Sequence, residues 1–156
     1  MGTKFSTRVW VSVVGIASIF FGSKGYADTV ISVADFGLKP DTRENAVAYV
    51  QKAIEACRGK EPVTLVFPEG RYDFWPQYAH EKNYYETNTY DVFPKRLAML
   101  FEGLHNITVD GNGSQFVMHD RIQPITVENC DGVTLKNFSI DWDIPPVSYT
   151  HLRAHE

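Results

Sequence analysis

Ser139-Ile140-Asp141-Trp142-Asp143 is the segment whose residue types and spacing come closest to chemistry. On an extended strand alternate side chains share a face. If Phe138, Ile140 and Trp142 fill a core, Asp141 and Asp143 project together from the opposite face. Two carboxylates so placed can flank a glycosidic bond or accept hydrogen bonds from sugar hydroxyls. The plainer alternative is a pair of solvated positions or turn formers. Asp141 and Asp143 are therefore candidate substrate contacts, with no catalytic role assigned.

A second concentration of recognition chemistry is aromatic. Tyr72, Phe74, Trp75, Tyr78, Tyr84, Tyr85, Tyr90 and Phe93 crowd a short stretch. No strand or helix period organises Tyr78 to Phe93, which reads as a long loop leaving the main scaffold. Aromatic rings suit the C–H faces of sugars, and such loops often wall a cleft. Trp75 joins the candidates on that ground; packing of the loop onto its own scaffold is the plainer account of the same residues.

Other motifs carry less. Asp110-Gly111-Asn112-Gly113 has no helix pattern after it, so a tight turn is expected rather than a phosphate loop. His80, His105 and His119 lack metal-ligand spacing and read as isolated surface histidines. Asn106-Ile107-Thr108, Asn112-Gly113-Ser114 and Asn137-Phe138-Ser139 match the glycosylation pattern, but Asn and Ser/Thr are common at turns anyway. No Ser/His/Asp or Cys/His nucleophile arrangement is apparent, and no metal or cofactor is expected.

The elements that position these residues must fit in 156 residues, room for one domain or a slice of a larger one. Hydrophobic residues make up 44% and charged residues 22%, which excludes a largely disordered chain. The N-terminal 27 residues hold Lys4, Arg8 and Lys24 and no acid. Without them the charge moves from −4 to −7, which argues against a nucleic-acid partner held by a basic surface.

Lys4 and Arg8 precede the apolar run Val9 to Phe21, and small residues Gly25 and Ala27 flank Tyr26. That order is expected of a secretory signal peptide, residues 1–27, cleaved after Ala27. Export to a periplasmic, cell-surface or secreted location follows, with no membrane span after cleavage. The run is short against the roughly 20 residues that a span needs.

One helix is expected, from about Thr42 to Arg58. Asp41-Thr42-Arg43-Glu44 reads as a capping box, Ala46, Val47, Val50, Ala53, Ile54 and Cys57 recur at helical spacing, and Gly59 supplies a stop. Elsewhere the chain is short strands broken by Gly, Asn and Asp. The strands repeat. A shift of 26 residues carries Met99 onto Ile125, Phe101 onto Val127, Glu102 onto Glu128 and Leu104 onto Cys130. The same shift carries Ile107, Thr108 and Val109 onto Val133, Thr134 and Leu135. Apolar parity is kept, so the same positions point inward in both copies. A unit this small cannot bury its inner face alone; the next unit stacked upon it can, which is the logic of a solenoid. The expected fold is all-β: the first coils of a right-handed parallel β-helix, residues 28–146, with one N-terminal capping α-helix. An antiparallel sandwich is the competing architecture. Cys57 on the helix's buried face and Cys130 in the repeat are expected as separate free thiols.

Val33-Ala34-Asp35-Phe36-Gly37, Ala53-Ile54-Glu55-Ala56-Cys57 and Leu65-Val66-Phe67-Pro68-Glu69-Gly70-Arg71-Tyr72 resemble the cap and first coil of the pectate-lyase-like β-helix superfamily. Five further segments narrow the match: Tyr72-Asp73-Phe74-Trp75-Pro76, Asn83-Tyr84-Tyr85-Glu86, Pro94-Lys95-Arg96-Leu97, Ile107 to Ser114, and Phe138-Ser139-Ile140-Asp141-Trp142-Asp143-Ile144-Pro145. These resemble bacterial exo-α-1,3-galactosidases of glycoside hydrolase family 110. The resemblance implies a metal-independent, inverting glycoside hydrolase that removes terminal α-1,3-linked galactose from glycans. Family members are several times longer, so it also implies an N-terminal fragment, inactive alone, with catalytic residues in later coils. The alternatives are another β-helix polysaccharide hydrolase or lyase of polygalacturonase or pectate-lyase type, and a non-catalytic glycan-binding adhesin. Residues 147–156 continue no strand or turn pattern and resemble translated adaptor sequence; a foreign or disordered tail is expected there.

Overall fold

The computed structural model describes residues 28–83 and 94–144. The expected signal peptide (residues 1–27), Tyr84, Tyr85, Tyr90 and Phe93 of the aromatic stretch, and the tail from residue 147 lie outside the described residues.

Strand β1 (Thr29–Ser32) runs into a 3-10 turn, Val33–Phe36, in which Ser32 Oγ accepts the Ala34 amide and Gly37 closes at φ 93°. Helix α1 (Val47–Cys57) follows, then β2 (Val63–Val66), β3 (Arg71–Phe74) and β4 (His80–Lys82). The long strands complete the order: β5 (Lys95–Glu102), β6 (His105–Met118), β7 (Gln123–Glu128) and β8 (Asp131–Trp142). Every pairing between these strands is parallel except β4 with β5. Among the described residues the fold is all-β, with mainly parallel sheets and one α-helix.

The register is the one the repeat predicts. Met99 pairs with Ile125, Phe101 with Val127, and Glu102 with Glu128. Ile107 pairs with Val133, Thr108 with Thr134, and Val109 with Leu135. Leu104 and Cys130 meet as well, the Leu104 amide lying 3.4 Å from Cys130 Sγ. Corners recur in phase too: Gly103 and Asn129, then Asn106 and Gly132, all adopt left-handed backbone. Gly and Asn interchange there because they tolerate positive φ at least cost.

Each rung faces the next through its apolar side. Val63, Ile107 and Val133 stack in one column, and Leu65, Val109 and Leu135 in another. Phe67, Tyr72, Phe74 and Phe116 form an aromatic core, and Phe138 lies on Phe116 with ring centroids 4.8 Å apart. Burying each such side chain contributes about 1.5–3 kcal/mol. Helix α1 lays Val47, Val50, Ala53, Ile54 and Cys57 against β1, β2 and β5.

One local expectation is corrected. The helix begins at Val47, not Thr42. Asp41 sits at φ 62° and its Oδ1 accepts the Arg71 amide, so the segment joins β3 instead of capping a helix. Ala46 takes the N-cap position without a side-chain bond, and Asn45 just before it accepts the Val47 amide with Oδ1 at 3.1 Å. The turn expected at residues 110–113 is present, with Asn112 at φ 49° and Gly113 at φ 84°, and β6 continues through it with a register shift between Asp110 and Ser114.

Candidate functional site

Strands β3, β6 and β8 lie side by side, and their registered columns define an outer face. Arg71, Gln115 and Ser139 form one column; Asp73, Val117 and Asp141 form the next. Two residues further along each strand stand Trp75, His119 and Asp143. The amide of His119 reaches Phe74 O and that of Asp143 reaches Met118 O, so the pairing continues. The opposite parity, Tyr72, Phe74, Phe116 and Met118, is buried. That alternation turns both candidate aspartates outward, as the strand pattern predicts.

Asp73 anchors this face. Its carboxylate is fully buried, accepts from Arg71 Nη2 at 2.6 Å, and meets His119 Nε2 at 2.8 Å. Burial pushes the Asp73 carboxyl upward, but the hydrogen bonds and charges of Arg71 and His119 outweigh it and hold the group below its ordinary value. The His119 ring lies flat on Trp75, with centroids 4.0 Å apart and 4° between planes. Its other nitrogen, Nδ1, is 3.7 Å from Asp143 Oδ2, while Arg71 Nη2 is 3.8 Å from Asp143 Oδ1. Neither separation is a hydrogen bond. Asp143 is half exposed and lies between these two basic groups.

Asn45 fixes Trp75 from behind. Its Oδ1 accepts the Trp75 amide at 3.2 Å, and its Nδ2 donates to Gln77 O at 2.9 Å. One side chain therefore ties the helix start to the residues after β3.

The three candidates separate by role. Trp75 and Asp143 come together around His119; Asp141 stands level with Asp73, and its Oδ1 accepts the Trp142 amide at 2.8 Å. Arg71, Asp73 and His119 are site residues that sequence reasoning missed. His119 is corrected from an isolated surface residue to one bonded, stacked and only 14% exposed. The missed signal is parity: Asp73 and Trp75 alternate with buried Tyr72 and Phe74, as Asp141 and Asp143 do with Phe138 to Trp142. Among the described residues, no group of three His, Cys, Asp or Glu is placed to hold a metal ion.

No family model matches the chain. It is 63% identical over 119 residues to alpha-1,3-galactosidase B of Bacteroides thetaiotaomicron, covering 76% of this chain and 19% of that one. It is 42% identical over 115 residues to alpha-1,3-galactosidase A of Shewanella woodyi, covering 74% and 19%. An alpha-1,3-galactosidase B of Phocaeicola vulgatus is 37% identical over 144 residues, covering 90% and 22%. The chain spans about a fifth of the length of the curated relatives it matches. With its parallel rungs and this extent of similarity, the chain is a homologue of the bacterial α-1,3-galactosidases, which are glycoside hydrolases.

Proposed function

We propose that this chain is the N-terminal part of an exported exo-α-1,3-galactosidase built on a right-handed parallel β-helix. Residues 1–27 are the signal peptide, residues 28–146 the cap and first coils, and residues 147–156 a tail foreign to the natural protein. The observation that carries the reading is the 63% identity to a named α-1,3-galactosidase over 119 residues. The in-phase parallel rungs support a solenoid, since each rung covers the one before it.

Terminal α-1,3-linked galactose is the substrate. Trp75, Asp141 and Asp143 face it on the outer surface, where Arg71 is the sole guanidinium among Asp73, Asp141 and Asp143 on the columns described. That balance suits a neutral sugar better than the uronate of an acidic polysaccharide. Hydrolysis with inversion requires a carboxylic acid on the leaving oxygen and a carboxylate ~6.5–9.5 Å away that activates water. Both catalytic groups belong to later coils, so residues 28–156 alone release no galactose.

The test is an assay of the full-length protein, with its downstream sequence, on galactose-α-1,3-galactose and on galacturonan. Galactose release from the first and no cleavage of the second is expected. Depolymerised galacturonan would instead indicate a lyase or polygalacturonase, and glycan binding without release an adhesin.

A further inference from the structure

The turn after β3 holds a tyrosine in backbone that suits it poorly. Ala79 donates its amide to Pro76 O at 3.2 Å, which closes a four-residue turn with Tyr78 in third place. Tyr78 sits there at φ 68°. A turn with positive φ at that place ordinarily takes Gly or Asn, because Cβ crowds the carbonyl in left-handed backbone. Of the eight non-glycine residues with positive φ among those described, six are Asn or Asp; Arg43 and Tyr78 are the others. An aromatic residue so placed costs stability and persists only where its surroundings hold it. Here they do. Gln51 Nε2 on α1 donates to Tyr78 O at 2.8 Å, and Asn45 Nδ2 donates to Gln77 O at 2.9 Å. The ring itself adds little to the core. Tyr78 is 75% exposed, and among the described residues its hydroxyl has no hydrogen bond and its ring no aromatic neighbour.

We propose that Tyr78 is a glycan-contact residue, whose outward ring stacks on a pyranose beyond the terminal galactose, in the part of the substrate left after cleavage. The proposal rests on the galactosidase reading for its ligand and on the turn for its residue. Tyr78 stands three residues beyond Trp75, and the backbone between them is fixed at Trp75 N, Gln77 O and Tyr78 O by Asn45 and Gln51. A mount already ordered in the free protein loses little freedom on binding. The tyrosine ring meets a sugar's C–H face with its own face and keeps its hydroxyl at the wet edge. On the same reading both catalytic groups belong to later coils, so a contact from this turn serves a sugar away from the bond that breaks.

The experiment uses the full-length protein and two substrates: the trisaccharide in which α-1,3-linked galactose caps N-acetyllactosamine, and α-galactosyl fluoride, which has no second sugar. Tyr78→Asn supplies a residue that accepts the turn's backbone and removes the ring, so its Tm equals or exceeds that of the wild type. Its kcat/KM for the trisaccharide, relative to that for the fluoride, falls about fivefold. Tyr78→Phe, which keeps the ring, restores the ratio. Saturation-transfer NMR of N-acetyllactosamine, the disaccharide left behind, reads the contact without turnover: it binds the wild type and binds Tyr78→Asn more weakly. A lower Tm in Tyr78→Asn makes the ring a packing residue and overturns the proposal. An unchanged ratio, no rescue by Tyr78→Phe, or disaccharide binding that is absent or insensitive to Tyr78→Asn overturns it equally. Should the wild type release no galactose yet bind the disaccharide through Tyr78, the galactosidase reading fails while the sugar platform stands.

Discussion

Asp73 shows how one buried carboxylate organises a surface. Its side chain is wholly buried, and Arg71 and His119 both depend on it. Its native pKa lies below the ordinary value. Its charge therefore adds stability in full above about pH 4, and that stability is lost as pH falls through the native value. Asp73→Asn should cost about 3 kcal/mol at pH 7, because it leaves a guanidinium short of its partner. Thermal melts of the full-length protein should show the gap narrowing as pH falls below about 4; a gap that does not change with pH there would assign the loss to packing. Cys57 offers a second check at this scale. Burial pushes its thiol up to about 11, so it should resist a thiol reagent at pH 8 until the protein unfolds. Fast labelling in the native state would contradict the closed seat beneath α1.

Among the elements, the corners carry more specificity than the strands. Gly111 is buried, and a Cβ there would lie 2.5 Å from Phe138 Cβ and 2.7 Å from Asn137 O. Gly111→Ala must push β8 away from β6, at a cost of about 1–3 kcal/mol measurable by urea unfolding. Gly113, at the same bend, has open space around it, and its variant suffers only from φ 84°. A smaller loss at Gly111 than at Gly113 would contradict the register at that bend. Lys82 bridges like charges. Glu102 and Glu128 stack directly in the parallel ladder, and the Lys82 ammonium lies 2.9 and 2.5 Å from them. Lys82→Met should lower stability, more at low salt than at high.

These elements also show what the sequence reveals and what it conceals. The 26-residue shift is legible because both copies keep apolar parity and length, and it reproduces the pairing of β5 with β7 and the first half of β6 with β8. The pairing of β3 with β6 is not, because there the offset is 44 residues, stretched by the aromatic segment between β4 and β5. That stretch hides the neighbours Trp75 and His119, and with them the bond from His119 to Asp73. The helix start is misplaced for a chemical reason: Asp41 and Thr42 look like cap residues, yet Asp41 commits its carboxylate to the Arg71 amide.

At the scale of the molecule, the described rungs end on an apolar side that the earlier rungs do not show. Val127, Leu135 and Ile140 are 36–44% exposed, whereas Phe101, Val109 and Phe116, their registered partners, are at most 1% exposed. In a solenoid the next coil covers such a surface. Residues 28–144 expressed alone should therefore bind an apolar dye and self-associate, as an unpaired parallel edge does. A soluble, cooperative monomer would show that the rungs need no successor.

On the proposed reading, the parallel rungs present Trp75 and the aspartates to a sugar that the rest of the full-length protein cleaves. Proton NMR of the full-length protein acting on galactose-α-1,3-galactose tests that account most directly, by following the anomeric signal of the freed sugar from the first minutes. Inverting hydrolysis of an α-linkage must release β-galactose first, with the α-anomer appearing only as the sugar mutarotates. α-Galactose appearing first, or no galactose at all, would contradict it.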